Sequence, residues 1–201
     1  MPDDPTTRAT FRLILASASP RRRELLEEAG WRFVVDPARI DEDAAPANLL
    51  PAELARFLAL EKARIVAARH PDDVVLAADT VVAFGDTPVG KPADADDARD
   101  ILRLLSGTTH IVITGVAVVR RASGFEQARW VMSSVRMRCL TEGQIEAYIA
   151  TGQWQGKAGA YGIQDRDPFV TRVAGSHTNV VGLPMEAVGP MLRQAGASLD
   201  G

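Results

Sequence analysis

Asp79 lies in Val74-Val75-Leu76-Ala77-Ala78-Asp79-Thr80-Val81-Val82, a run whose composition otherwise suits a buried strand. An unpaired carboxylate there costs several kcal/mol or stays protonated. A cation, a metal ion or an opening to solvent has to compensate. The plain alternative is an edge-strand aspartate facing water or held in a structural ion pair. A second candidate is Ser17-Ala18-Ser19-Pro20-Arg21-Arg22-Arg23, between a strand end and a helix start. Free backbone N–H groups, two hydroxyls and guanidinium forks converge at such a point and form an anion site. Arginine in a first turn has the wrong sign for the helix dipole, and a bound phosphate turns that misfit into an advantage. A solvated basic turn pairing with Glu24, Glu27 and Glu28 is the competing reading.

Glu61-Lys62 interrupts an apolar stripe of Leu54, Leu58 and Ile65, with Glu61 inside it and Lys62 at its border. Lys62 either snorkels to water or reaches a cleft as a phosphate ligand. Gly85–Lys91 matches the glycine and lysine positions of a P-loop, but Pro92 supplies neither the hydroxyl nor the N–H that a P-loop needs next. Asp86-Thr87-Pro88 reads as a hairpin tip, and Lys91 remains a candidate phosphate contact. Asp41, Glu42 and Asp43 form an acidic cluster that is either a solvated turn or the source of a metal ligand. His70, His110 and His177 have no metal-ligand or triad spacing, and no nucleophile elbow is present. Several cations, several carboxylates and no nucleophile motif point to metal-assisted water attack on a phosphate anhydride.

These residues need elements to hold them. Phe11–Ala16 reads as a first strand, followed by a helix with Ser19 at the N-cap, Pro20 at its first position and Gly30 at its end. Pro51–His70 is a longer helix and Val74–Phe84 a nearly continuous apolar strand. Asp94 caps a third helix that Gly107 ends. Ile111–Val119 reads as a central strand. Val131–Cys139 alternates, with Val135, Met137 and Cys139 predicted to face inward. Thr141 and Gln144 form a capping box. A glycine-rich loop over 156–162, a strand around Phe169–Val173 and a helix after Pro184 complete the chain. Alternating helices and strands early, with strands clustered late, predict an α/β fold with a mixed twisted sheet and flanking helices.

The chain has 201 residues, 46% of them hydrophobic and 24% charged, enough for one domain with a full core. Residues 11–196 are expected to form that domain, with tails over 1–10 and 197–201. A net charge of −3 and only 5% aromatic residues give no reason to expect nucleic acid or a membrane surface. The single cysteine excludes an internal disulfide, and the Leu13–Ala16 run is too short for a signal-peptide core, so a cytoplasmic location is expected.

Leu15-Ala16-Ser17-Ala18-Ser19-Pro20-Arg21-Arg22 resembles the opening motif of the Maf family of nucleotide pyrophosphatases. Further matches follow in the family's order: Glu61-Lys62-Ala63, Ala78-Asp79-Thr80, Gly90-Lys91-Pro92, Ser106-Gly107 with His110, Lys157–Gln164, and Val180-Val181-Gly182-Leu183-Pro184. The resemblance runs from about Leu13 to Leu192. It implies an elongated, two-lobed α/β domain with a central cleft, similar to inosine triphosphate pyrophosphatases. It also implies a homodimer that uses Mg²⁺ or Mn²⁺ to split a nucleoside triphosphate into monophosphate and pyrophosphate.

By the same resemblance Asp79 is the general base, close to the metal, and Glu42 is a second metal ligand. Ser17, Arg22, Lys62 and Lys91 hold phosphates. Arg21, Thr80 and Gln164 match the branch acting on dTTP and UTP, whereas the 7-methyl-GTP branch resembles Trp, Gln and Glu at those positions. A modified purine triphosphate is the alternative substrate, and a weakly catalytic nucleotide-binding regulator of cell division or septum formation is the rival role. One departure stands out: Asp165-Arg166-Asp167-Pro168 follows Gln164, where the family carries glycine-rich sequence.

Overall fold

Side chains that alternate across a strand must find a cover on each face, and that requirement organises this chain. In the computed structural model, residues 11–165 and 169–199 are described, apart from the side chain of Asp43. The expected tail over 1–10 and residues 200–201 of the other tail lie outside them, as do Arg166, Asp167 and Pro168. The strands are β1 (Leu13–Leu15), β2 (Val34–Val35), β3 (Val74–Phe84), β4 (Thr87–Val89), β5 (Thr109–Arg120), β6 (Phe125–Met137) and β7 (Val170–Ala174). The helices are α1 (Pro20–Glu28), α2 (Pro51–Arg69), α3 (Ala95–Leu105), α4 (Glu142–Ala150), α5 (His177–Val181) and α6 (Met185–Gln194). All seven described strands form one sheet in the order β2-β1-β3-β5-β6-β7, with β4 paired to β3. The pairs β2–β1 and β1–β3 are parallel and the others antiparallel, so the sheet is mixed, as the element pattern predicts.

The edges of β3 differ. One pairs with β5 without interruption from Val75 to Ala83. The other pairs with β1 up to Leu76 and with β4 only from Val82, and no described strand fills the stretch between. The core is divided at the same level. On one face Leu76 and Ala78 belong to a cluster with Leu26 and Leu192, whereas Val82 belongs to another with Leu102 and Ile149. On the opposite face Val75 and Ala77 pack with Ala59 and Val66, while Val81 and Ala83 pack with Ala55. Asp79 and Thr80 fall at the two breaks, one on each face.

Three expectations need correction, and one short helix was not foreseen. The buried side of α2 is Ala55, Leu58, Ala59, Lys62, Ala63 and Val66; Ile65 is exposed and Lys62 lies within the buried side. The large apolar residues mislead here because small side chains let the helix lie closer to the sheet. Cys139 is exposed, because β6 ends at Met137 and the alternation stops with it. Ser19 occupies the N-cap of α1 but makes no capping bond through its side chain. The α5 helix, five residues capped by Ser176, has too few residues to show a helical period in the sequence.

Candidate active site

Gly115 stands directly opposite Asp79 on β5, and a Cβ there would lie 2.1 Å from the Ala55 carbonyl oxygen. A bare glycine therefore admits α2 to the sheet at this level. Two turns along α2 from Ala55, Lys62 arrives at the carboxylate: its Nζ is 2.6 Å from Asp79 Oδ1 and 2.6 Å from Glu42 Oε1. Asp79 is 4% exposed, so the ammonium is the compensating charge that its burial requires. Lys91 Nζ lies 3.1 Å from Glu42 Oε2. Burial raises the Glu42 carboxyl, but Lys62 and Lys91 outweigh it and hold the group below its ordinary range.

Above the gap in the β3 edge lies the Ser17–Arg22 turn. The first turn of α1 has no acidic residue and no side-chain cap, so its N–H groups and dipole remain open to an anion. Arg22 is tied on three sides: Nε donates to Gly182 O at 2.8 Å, Nη1 to Ser17 Oγ and Nη2 to Thr80 Oγ1, each at 3.1 Å. Burial lowers both guanidinium groups, Asp79 opposing it for Arg22 and Asp165 for Arg21. Among the described residues, pairing of these arginines with neighbouring glutamates is confined to Arg23 and Glu27, 4.0 Å apart.

A cleft of about 450 Å³ gathers these groups, within the size of small-molecule sites. Ser17, Arg21, Arg22, Glu42, Lys62, Asp79, Thr80, Lys91 and Gln164 all line it. The loops carrying Lys91 and Gln164 are joined where Gly159 N–H donates to Gly90 O at 3.0 Å. A Cβ at Gly159 would lie 2.9 Å from Val82 Cγ2, so this junction also requires glycine.

Reasoning from sequence missed Lys157 and Asp165 as site components. Lys157 lines the cleft, and its buried ammonium pairs with Asp165. Asp165 Oδ2 also accepts the Tyr148 hydroxyl at 2.7 Å and the Gly162 N–H at 2.9 Å. The departure at Asp165 is thus a braced corner next to Gln164, and the signal available in the sequence was a charge in an otherwise small-residue loop. His110 is a core residue, 2% exposed, with Nε2 2.6 Å from the Tyr161 hydroxyl.

For a divalent metal, the donor chemistry is that of two carboxylates. Glu42 and Asp79 converge on one ammonium, and no hydrogen bond to Asp79 Oδ2 is found among the described residues. No group of three or more Asp, Glu, His or Cys side chains that could hold an ion occurs among those residues. Mg²⁺ commonly takes one or two carboxylates and completes its shell with water and substrate phosphates, so the pair fits such an ion.

Open helix start, buried carboxylate and converging cations define an α/β domain with a polyanion-binding cleft. Residues 12–195 match the Maf-like protein family, and the chain belongs to that family. Similar proteins include the "dTTP/UTP pyrophosphatase" of Hyphomonas neptunium, 50% identical with 92% of this chain and 95% of that one covered. The protein of the same name from Moorella thermoacetica is 48% identical, with 94% and 98% covered. A more distant likeness, with TM-score 0.43 and 18% identity over 92% of this chain and 98% of the other, is to the nucleoside-triphosphatase / dITP/XTP pyrophosphatase of Mycobacterium abscessus. No described helix is long and apolar enough to cross a membrane.

Proposed function

We propose that this protein hydrolyses dTTP and UTP to the monophosphate and pyrophosphate by water attack at the α-phosphorus. The observation that carries the reading is Lys62, whose ammonium ties Asp79 to Glu42 inside the cleft that also holds the open start of α1. Relatives of 44–50% identity named for that activity support the choice of substrate.

Asp79 takes a proton from the attacking water through its open oxygen. Oxygen of that water bonds to the α-phosphorus as the bond to the bridging oxygen breaks, and pyrophosphate leaves. Lys62 and Lys91 face the charge that develops on the leaving group. Ser17, Arg22 and the α1 N–H groups hold phosphate oxygens, and Arg21, Thr80 and Gln164 hold the base and sugar. Glu42 and Asp79 are the residues that would bind Mg²⁺ or Mn²⁺, which when bound supplies charge neutralisation and Lewis acidity at the phosphates. The reading includes a cytoplasmic homodimer, with nucleotide as its small-molecule partner.

The test is a panel of triphosphates assayed with each metal, reading monophosphate and pyrophosphate. Orthophosphate as the product would overturn attack at the α-phosphorus. Asp79→Asn is expected to lower kcat by about 100-fold or more while nucleotide binding survives, and an Asp79→Asn protein of full activity would remove this residue from the mechanism.

A further inference from the structure

Thr114 is wholly buried on β5, directly across the ladder from Thr80. Its Oγ1 is 2.9 Å from the Asn179 carbonyl oxygen. A carbonyl can only accept, so the one hydroxyl proton of Thr114 is committed there. The accepting residue is fixed in turn, because Asn179 Nδ2 donates to Val112 O at 3.0 Å and to Ser133 Oγ at 2.9 Å. Thr80 Oγ1 and Thr114 Oγ1 are 3.0 Å apart. With the Thr114 proton already used, Thr80 must be the donor of that bond. Thr80 Oγ1 also receives Arg22 Nη2 at 3.1 Å, and a guanidinium can only donate. The proton and one lone pair of Thr80 are therefore both engaged inside the protein. What this half-buried hydroxyl has left for the cleft is a single lone pair.

We infer that Thr114 is a positioning residue that makes Thr80 a fixed hydrogen-bond acceptor, so that the cleft selects bases presenting an N–H at that point. The inference rests on the proposed function, in which Thr80 meets the base. A free hydroxyl rotates to suit a donor or an acceptor and discriminates poorly. A hydroxyl with its proton locked away does not. Uracil and thymine carry an N–H at ring position 3, whereas cytosine has a bare acceptor nitrogen there. An acceptor facing an acceptor leaves both unpaired, which costs binding in a desolvated site. The selection is thus set two residues deep, by a side chain that does not line the cleft.

The experiment measures kcat and KM for dTTP, dCTP and N3-methyl-dTTP with the wild-type protein, Thr114→Val and Thr114→Ser. Wild-type protein is expected to favour dTTP over both other triphosphates by about tenfold or more in kcat/KM. Thr114→Val leaves the Thr80 proton free to turn into the cleft, so the dTTP:dCTP ratio falls by about fivefold or more, mainly through a lower KM for dCTP. Thr114→Ser keeps both hydroxyl bonds and keeps the ratio. Equal use of dTTP and N3-methyl-dTTP by the wild type overturns the inference without any variant, and so does an unchanged ratio in a folded Thr114→Val protein. A wild-type protein that turns over none of the three overturns the underlying function as well.

Discussion

Asp79 and Gly115 face each other across the β3–β5 ladder, and the side chain missing at Gly115 is filled by the backbone of α2 at Ala55. The carboxylate and its lysine meet because a helix can descend onto the sheet at that rung. Gly115→Ala places a methyl group into the Ala55 carbonyl, which must move. Overpacking of this kind costs about 1–3 kcal/mol, and the displaced helix carries Lys62 with it. Chemical denaturation should show a lowered midpoint, and the same preparation should lose activity even where it remains folded.

Lys62 and Asp79 are both buried and are paired to each other. Removing one partner of such a pair strands the other, at a cost of about 3–5 kcal/mol. Lys62→Met is expected to be strongly destabilised, and Lys62→Met with Asp79→Asn less so than the sum of the single changes. A double-mutant cycle in urea measures the coupling. Simple additivity would mean that the ion pair does not govern the stability of this site.

Asp165 holds three donors at once: the Lys157 ammonium, the Tyr148 hydroxyl and the Gly162 N–H. Asp165→Asn removes the charge opposite a buried ammonium and loosens the corner next to Gln164. We expect KM for dTTP to rise by about five- to tenfold with a smaller change in kcat, the signature of lost substrate positioning. Tyr148→Phe, which deletes one of the three bonds, should shift KM in the same direction by less.

His110 is buried and its pKa is pushed down to about 4 by the loss of water around the ring. Its depressed folded value means that the native protein carries a neutral imidazole while the unfolded chain takes up a proton near the ordinary value of 6.5. Stability contributed by this group is complete above that pH and is lost as pH falls towards 4. The loss amounts to about 2 kcal/mol by pH 5. Melting temperature measured at pH 7 and pH 5 should fall for the wild type, and the drop should be smaller in His110→Gln.

The charges out of place in the sequence were the most readable part of this molecule. Asp79 in an apolar strand and arginines at a helix start each broke a local rule, and the fold brings both to one cleft. Capping chemistry was equally legible: Asp94 accepts the Asp97 N–H, and Thr141 and Gln144 form their box. Side-chain size hid the face of α2, because Ala55, Ala59, Ala63 and Ala67 recur every four residues and mark close approach more faithfully than the leucines do. Lys157 and Asp165 were hidden for another reason. Their pairing spans eight residues of loop with no period, and only the three-dimensional turn brings the two charges together. The Thr114–Asn179 bond joins residues 65 apart, and no local pattern encodes it.

Because β1 stops at Leu15 and β4 joins only at Val82, the strand carrying Asp79 is anchored to β5 from Val75 to Ala83 on its far side while its near side is bordered by connecting segments. Those segments bring the arginines and Gln164, whereas the strand, with α2 behind it, brings Asp79 and its lysine. On the proposed function, the share of base recognition carried by Arg21 and Gln164 can therefore change through the connections, while the share carried by Thr80 is tied to the same strand as Asp79.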